Sequence, residues 1–165
     1  MYAQNKSSAG PRRNGFNRPV PIRLRMGLVM RRNMEFGALG DVEGALRGEG
    51  VGLAPMSTGE ASLSAGGVTV LATATARDIA EGRLKGLVVP GGSSDEASLA
   101  AVRSLIDLAR ANELTILAFA DGVALTAERF GVEVEAEAEA AIFGGGQPTV
   151  LNERADLSKA VAALS

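Results

Sequence analysis

Apolar positions fall into two spacings that take turns along the chain. Leu24 to Met30 (L-R-M-G-L-V-M) is a short apolar run suited to a buried strand. From about Ala38 to Arg47 the apolar residues Leu39, Val42 and Leu46 recur at intervals of three and four, which predicts a helix ending before Gly48 and Gly50. Val51 to Met56 reads as a second strand, so a βαβ unit opens the body. Ser62-Leu63-Ser64 and Val68 to Leu71, across Ala65-Gly66-Gly67, predict a small hairpin. Thr73 to Ala76 fits no single element. Leu84 to Val89 is the clearest buried strand and is stopped by Pro90-Gly91-Gly92. Ser93 or Ser94 is then expected to cap a long helix through about Ala111, with Leu99, Val102, Leu105, Ile106 and Ala109 on one face. Asp95 and Glu96 stand in its first turn, where the helix dipole favours negative charge. Leu114 to Phe119 predicts the next strand, and Ala120-Asp121-Gly122 a tight passage into a helix holding Val123, Leu125, Thr126, Ala127 and Phe130, closed by Gly131.

Beyond Gly131 the pattern weakens. Val132 to Glu135 alternates as a half-exposed strand would, whereas Glu135 to Ala141 is equally compatible with a helix by propensity. Gly144 to Gly146 reads as a loop, because no strand-loop-helix frame surrounds it as a phosphate cradle requires. Pro148 to Leu151 predicts a strand and Leu157 to Leu164 a terminal helix. Strands that alternate with helices imply a mostly parallel sheet covered on both faces.

A chain of 165 residues supports one domain with a sizeable core, and five Phe, one Tyr and no Trp make that core aliphatic. No uncharged apolar run approaches the roughly 20 residues that span a bilayer, nor does the N-terminus carry a signal-peptide block, so no membrane partner and a cytoplasmic location are expected. Cys and His are both absent. That removes thiol nucleophiles, disulfides, Ser-His and Cys-His relays and the usual zinc sites, and no metal or cofactor is expected. The net charge of −2 conceals an asymmetry: residues 1–32 carry +8, and the remainder carries nine basic against nineteen acidic side chains, or −10. Residues 1–21, broken by Gly10-Pro11, Asn14-Gly15 and Pro19-Val20-Pro21, read as an extended basic arm before a body of residues 22–165. Such an arm suits solubility, docking on the acidic body of a neighbouring subunit or another protein, or nucleic-acid phosphates through Arg12, Arg13, Arg18, Arg23 and Arg25.

Ligands in an open parallel sheet gather beyond the carboxyl ends of the strands. Met34-Glu35-Phe36, Pro90-Gly91-Gly92-Ser93 and Ala120-Asp121-Gly122 converge there in this reading, giving the candidate ligand-binding set Glu35, Gly91, Gly92, Ser93, Ala120 and Asp121. Amides near Gly92 and Asp121 could aim at one anionic oxygen. Each residue also has a structural role open to it. Glu35 can pair with Arg31, Arg32 or a backbone amide, Asp121 can cap the helix it opens, Ser93 and Ser94 can cap theirs, and Gly91 and Gly92 can serve the turn alone. Glu35 with Asp121 as an acid pair is a further option.

The order L-K-G-L-V-V-P-G-G (84–92), a helix, then T-I-L-A-F-A-D-G-V-A-L (115–125) resembles the PfpI/ThiJ superfamily, relatives of the class I glutamine amidotransferases. The resemblance covers about residues 24–164. It implies a flavodoxin-like three-layer α/β sandwich, frequently a homodimer or larger assembly, among proteases, deglycase or glyoxalase-like enzymes, hydratases and chaperones. Members of that superfamily typically show A-I-C-H-G at the elbow. By that resemblance Ala120 falls at the nucleophilic Cys, Asp121 at the His that often follows it, and Glu35 at the Glu that contacts the nucleophile. Alanine has no lone pair to donate to a carbonyl. The expectation is a catalytically degenerate protein, a pseudoenzyme with no catalytic residue, acting by binding or homo-oligomeric assembly. The alternatives are a carboxylate-dependent enzyme using Glu35 and Asp121 on a small carbonyl substrate, and a nucleic-acid-associated factor guided by the arm.

Overall fold

A computed structural model describes residues 20–59, 62–65 and 68–164. Arg12, Arg13 and Arg18, most of the expected arm, and Gly66-Gly67 of the expected hairpin lie outside the described residues.

The central sheet has six strands: β1 (Leu24–Val29), β3 (Val51–Met56), β6 (Gly86–Val89), β8 (Thr115–Phe119), β9 (Ala140–Phe143) and β10 (Thr149–Val150). Their spatial order is β10-β9-β8-β6-β1-β3; β3, β1, β6 and β8 run parallel, and β9 and β10 are antiparallel additions at one edge. The parallel part has the flavodoxin-like arrangement, α/β with helices on both faces.

Period-two alternation sorts the strands' side chains between two cores. Val29, Leu87, Val89, Ile116 and Ala118 face α2 (Ala76–Ala80), α3 (Glu96–Ala111) and α4 (Asp121–Phe130), whose Ile79, Val102, Ile106 and Val123 are buried against them. Met26, Leu28, Val88, Leu117 and Phe119 face α1 (Val42–Gly48) and α5 (Arg154–Leu164), with Val42, Leu46, Leu157 and Val161. Both faces of the central strands β6 and β8 are buried, which is why they read as solid apolar runs rather than alternating ones. Among the described residues no helix is long and apolar enough to cross a membrane.

Two small ribbons complete the chain. β4 (Ser62–Ala65) and β5 (Val68–Leu71) pair antiparallel as the expected hairpin. β2 (Arg32–Glu35) pairs antiparallel with β7 (Gly91–Ser93), setting Glu35 opposite Gly91.

Several expectations need correction. The helix expected from Ala38 begins only at Val42, where the Asp41 carboxylate accepts from Gly44 N at 2.9 Å; Gly37–Leu39 is a separate 3-10 turn. Thr73 to Ala76 leads into α2 through a capping box, Thr75 with Asp78. Asp95, not Ser93 or Ser94, caps α3, accepting from Ser98 N at 2.8 Å. Asp121 does not cap α4: the cap position is Ala120, and it has no side-chain hydrogen bond. Val132 to Glu135 forms no strand; Val132 and Val134 pack onto the core from an irregular segment, and the strand that pairs beside β8 is Ala140–Phe143.

Candidate functional site at the strand-to-helix elbow

β8 ends inside the sheet and α4 starts one residue later, so the chain must reverse its course at Ala120. It does so at φ 50°, ψ −130°, a conformation that L-residues rarely adopt. The turn is held from both sides: Ala120 N donates to Glu139 O at 2.9 Å, and Ala120 O accepts from Val123 N at 3.1 Å. Gly122 must follow closely, since a Cβ there would stand 2.5 Å from Val89 O.

Glu35, Gly91, Ala120 and Asp121 come together. A Cβ built on Gly91 would lie 2.5 Å from Ala120 Cβ, 3.0 Å from Asp121 Oδ1 and 3.1 Å from Glu35 Cγ. Absence of a side chain at residue 91 is therefore what lets the three segments meet. Gly92 takes φ 153°, which turns its N–H towards the elbow, and that N–H donates to Asp121 Oδ1 at 3.0 Å. The same oxygen accepts from Arg31 Nη1 at 3.0 Å.

Arg31 is a site residue that no sequence periodicity singles out. It follows directly on a buried strand, and only 5% of it is exposed. Its guanidinium also donates from Nη1 to Pro90 O at 3.2 Å and from Nε to Ser94 Oγ at 3.1 Å. A buried guanidinium demands such partners, because a desolvated charge without them is costly. This explains why Asp121, expected as a cap, turns away from its own helix. It also corrects one pairing expected for Glu35: Arg31 binds Asp121. The signal available in the sequence was a charged residue continuing the apolar run of Leu24–Met30.

Two cavities share Asp121 and Ala124 in their walls. One, of about 420 Å³, is lined by Glu35, Ala120, Val134, Glu135 and Glu139 among others. The other, of about 450 Å³, is lined by Arg31, Ser93, Ser94 and Leu99 among others. Ser93 Oγ is 3.5 Å from Arg32 O, its closest polar partner. Among the described residues no group of three or more acidic side chains is arranged to hold a metal ion. Arg23 and Arg25 open β1 and so lie at the opposite end of the sheet from the elbow; Arg23 Nη2 donates to Glu49 O at 2.8 Å.

Chemically, the apex of the elbow offers only a methyl group, and the Gly92 amide beside it already donates to a carboxylate oxygen. Glu35 and Asp121 share the neighbourhood of Gly91, but Asp121 is committed to Gly92 and Arg31.

No protein-family model matches the sequence, and no curated protein matches it either. Solved structures do. The "putative protease I" from Bacteroides thetaiotaomicron is similar at a TM-score of 0.64 and 10% identity, over 86% of this chain and 99% of that one. A two-domain protein containing DJ-1/ThiJ/PfpI-like and ferritin-like domains, from Anabaena variabilis, is similar at a TM-score of 0.52 and 13% identity, over 86% of this chain. The match spans about half of that protein's length, 48%. At such identities the likeness concerns the fold alone, which this chain shares with those two structures.

Proposed function

We propose that this chain is a catalytically degenerate PfpI/ThiJ-like protein that acts by binding or by assembling with copies of itself. The observation that carries this reading is Asp121 Oδ1, which holds the Gly92 amide and Arg31 at 3.0 Å each. An amide that stabilises a developing oxyanion must be free to meet it. Here a resident carboxylate takes that place, beside an alanine that cannot attack a carbonyl. The elbow backbone and the crevice of about 420 Å³ remain, and these suffice for binding.

Purified protein is expected to turn over methylglyoxal, simple amides and simple esters no faster than buffer. Turnover that is lost in Glu35→Gln would overturn the proposal and favour the runner-up, in which Glu35 acts as a base from the crevice wall it lines. Assembly is tested by size-exclusion chromatography with light scattering on the full chain and on a chain lacking residues 1–21. A dimeric or larger full-length species is expected, and identical monomeric masses for the two would remove the assembly arm of the proposal.

A further inference from the structure

The groove of about 450 Å³ has a property of its own, centred on Arg31. A guanidinium carries five N–H donors. Nε is engaged by Ser94 Oγ, and Nη1 by Pro90 O and Asp121 Oδ1. Among the described residues no hydrogen bond reaches Nη2. Asp121 compensates the charge only in part, because its side chain is 61% exposed and its bonded oxygen is shared with the Gly92 amide. A side chain buried to 95% thus keeps one nitrogen without a protein hydrogen bond, and Arg31 lines a groove of about 450 Å³.

We propose that this groove binds a small aliphatic monocarboxylate, its oxygens received by Arg31 Nη2 and the Ser94 hydroxyl. Ser94 Oγ accepts from Arg31 Nε, which leaves its own hydrogen to donate. A planar carboxylate matches the guanidinium edge, and charge-assisted bonds of this kind are the strong ones. Leu99, Ala124 and Leu125 line the same groove and suit an aliphatic body. Asp121 and Glu128 also line it and disfavour a second negative charge on the ligand, so dicarboxylates and phosphate bind less well. This goes beyond the proposed function, as the ligand would be held by Arg31 and Ser94 in a groove that Ala120 and Glu35 do not line.

The test is a titration of the full-length protein, labelled with nitrogen-15, with butyrate, butyramide, succinate and inorganic phosphate, followed by amide chemical shifts. Butyrate is expected to shift the Ser94 and Leu99 amides saturably, with butyramide weaker by about tenfold or more, as befits a lost charge-assisted bond. Succinate and phosphate should also be weaker. Ser94→Ala is expected to weaken butyrate about threefold to tenfold, the worth of one hydrogen bond. Ser94→Asp, which supplies Arg31 with a carboxylate of the chain's own, should abolish binding while the rest of the spectrum is retained. Equal affinity for butyrate and butyramide, an absence of saturation, shifts confined to Val134 and Glu139 in the other crevice, or butyrate binding unchanged in Ser94→Asp would each overturn the proposal.

Discussion

Replacing Ala120 by glycine should stabilise the protein, although the same exchange in ordinary backbone is destabilising. Residue 120 sits at φ 50°, ψ −130°, where a Cβ crowds the flanking peptides. A non-glycine residue held in such a region costs about 1–3 kcal/mol. Glycine relieves that, but loses about 0.5–1 kcal/mol through the greater freedom of the unfolded chain. It also gives up the burial of a half-exposed methyl group, about 0.4 kcal/mol at half of the usual value per carbon. With strain near the middle of its range the net gain is about 1 kcal/mol, which for a domain of this size raises Tm by about 2–4 °C. Ala120→Val is the opposing control: a branched side chain is the worst tolerated at positive φ, and the space towards Gly91 is closed, so a loss of about 2 kcal/mol is expected. Urea unfolding followed by far-ultraviolet circular dichroism reads both, since the chain has no Trp to report by fluorescence. A glycine variant less stable than the parent, with an unchanged denaturant slope, would refute the claim that the elbow is strained.

Further consequences can be checked with the same unfolding assay. Gly91→Ala puts a methyl 2.5 Å from Ala120 Cβ and should cost about 1–3 kcal/mol, with the loss partly recovered when Ala120→Gly is added. Asp121→Ala removes the carboxylate that faces a buried guanidinium; such losses reach about 3–5 kcal/mol for fully buried pairs, and the exposure of Asp121 reduces the expectation to about 1–2 kcal/mol. The Asp78 carboxyl is held below its ordinary range, first by the Thr75 backbone N–H and then by Arg83. A depressed carboxylate contributes stability above its unfolded pKa of about 3.9 and loses it as pH falls through the folded value. The Tm of Asp78→Ala should therefore lie below that of the parent at pH 7, and the gap should close from about pH 4 downwards; a gap that is constant with pH would refute this.

Legibility followed burial. The strands β6 and β8 are buried almost throughout, β1 is buried from Met26 onwards, and each stands in the sequence as an apolar run. The amphipathic face of α3 was equally plain, with Val102, Leu105, Ile106 and Ala109 all buried. The pattern failed where tertiary contacts overrule it. Val132-Glu133-Val134-Glu135 alternates like a strand, but its two valines are drawn onto a core already supplied with strands, and pairing goes to Ala140–Phe143. The ribbon of β2 with β7 was invisible because Arg32 to Glu35 is polar and Gly91-Gly92 carries no strand propensity; only backbone pairing makes it. Convergence of Glu35, Gly91, Gly92 and Asp121 was readable from strand ends. The ion pair of Arg31 with Asp121 was not, since the residues stand 90 positions apart and neither belongs to a periodic pattern.

That ion pair bears on what holds the bend in place. Strain in a backbone survives only where surrounding structure over-determines it. At the elbow the constraints do not involve the side chain of residue 120: they are the Glu139 carbonyl on its amide, the Val123 amide on its carbonyl, and the close passage of Gly122 beneath Val89. The geometry thus belongs to the junction between a parallel strand and the helix that must fold straight back over it, whatever stands at the apex. The aspartate is a different matter. It lies on α4's first residue with a mostly exposed side chain, so nothing in the topology forces it inward. What draws it in is the charge of Arg31, which has no other carboxylate as an ion-pair partner among the described residues, and the N–H of Gly92. Bend and carboxylate are consequently separable by mutation. Asp121→Ala should lower stability yet leave the elbow's amides in place, and in the double variant with Ala120→Gly the two changes should add to within about 0.5 kcal/mol for independent effects. Strong coupling between these adjacent residues would mean that the carboxylate, and not the junction, holds the bend.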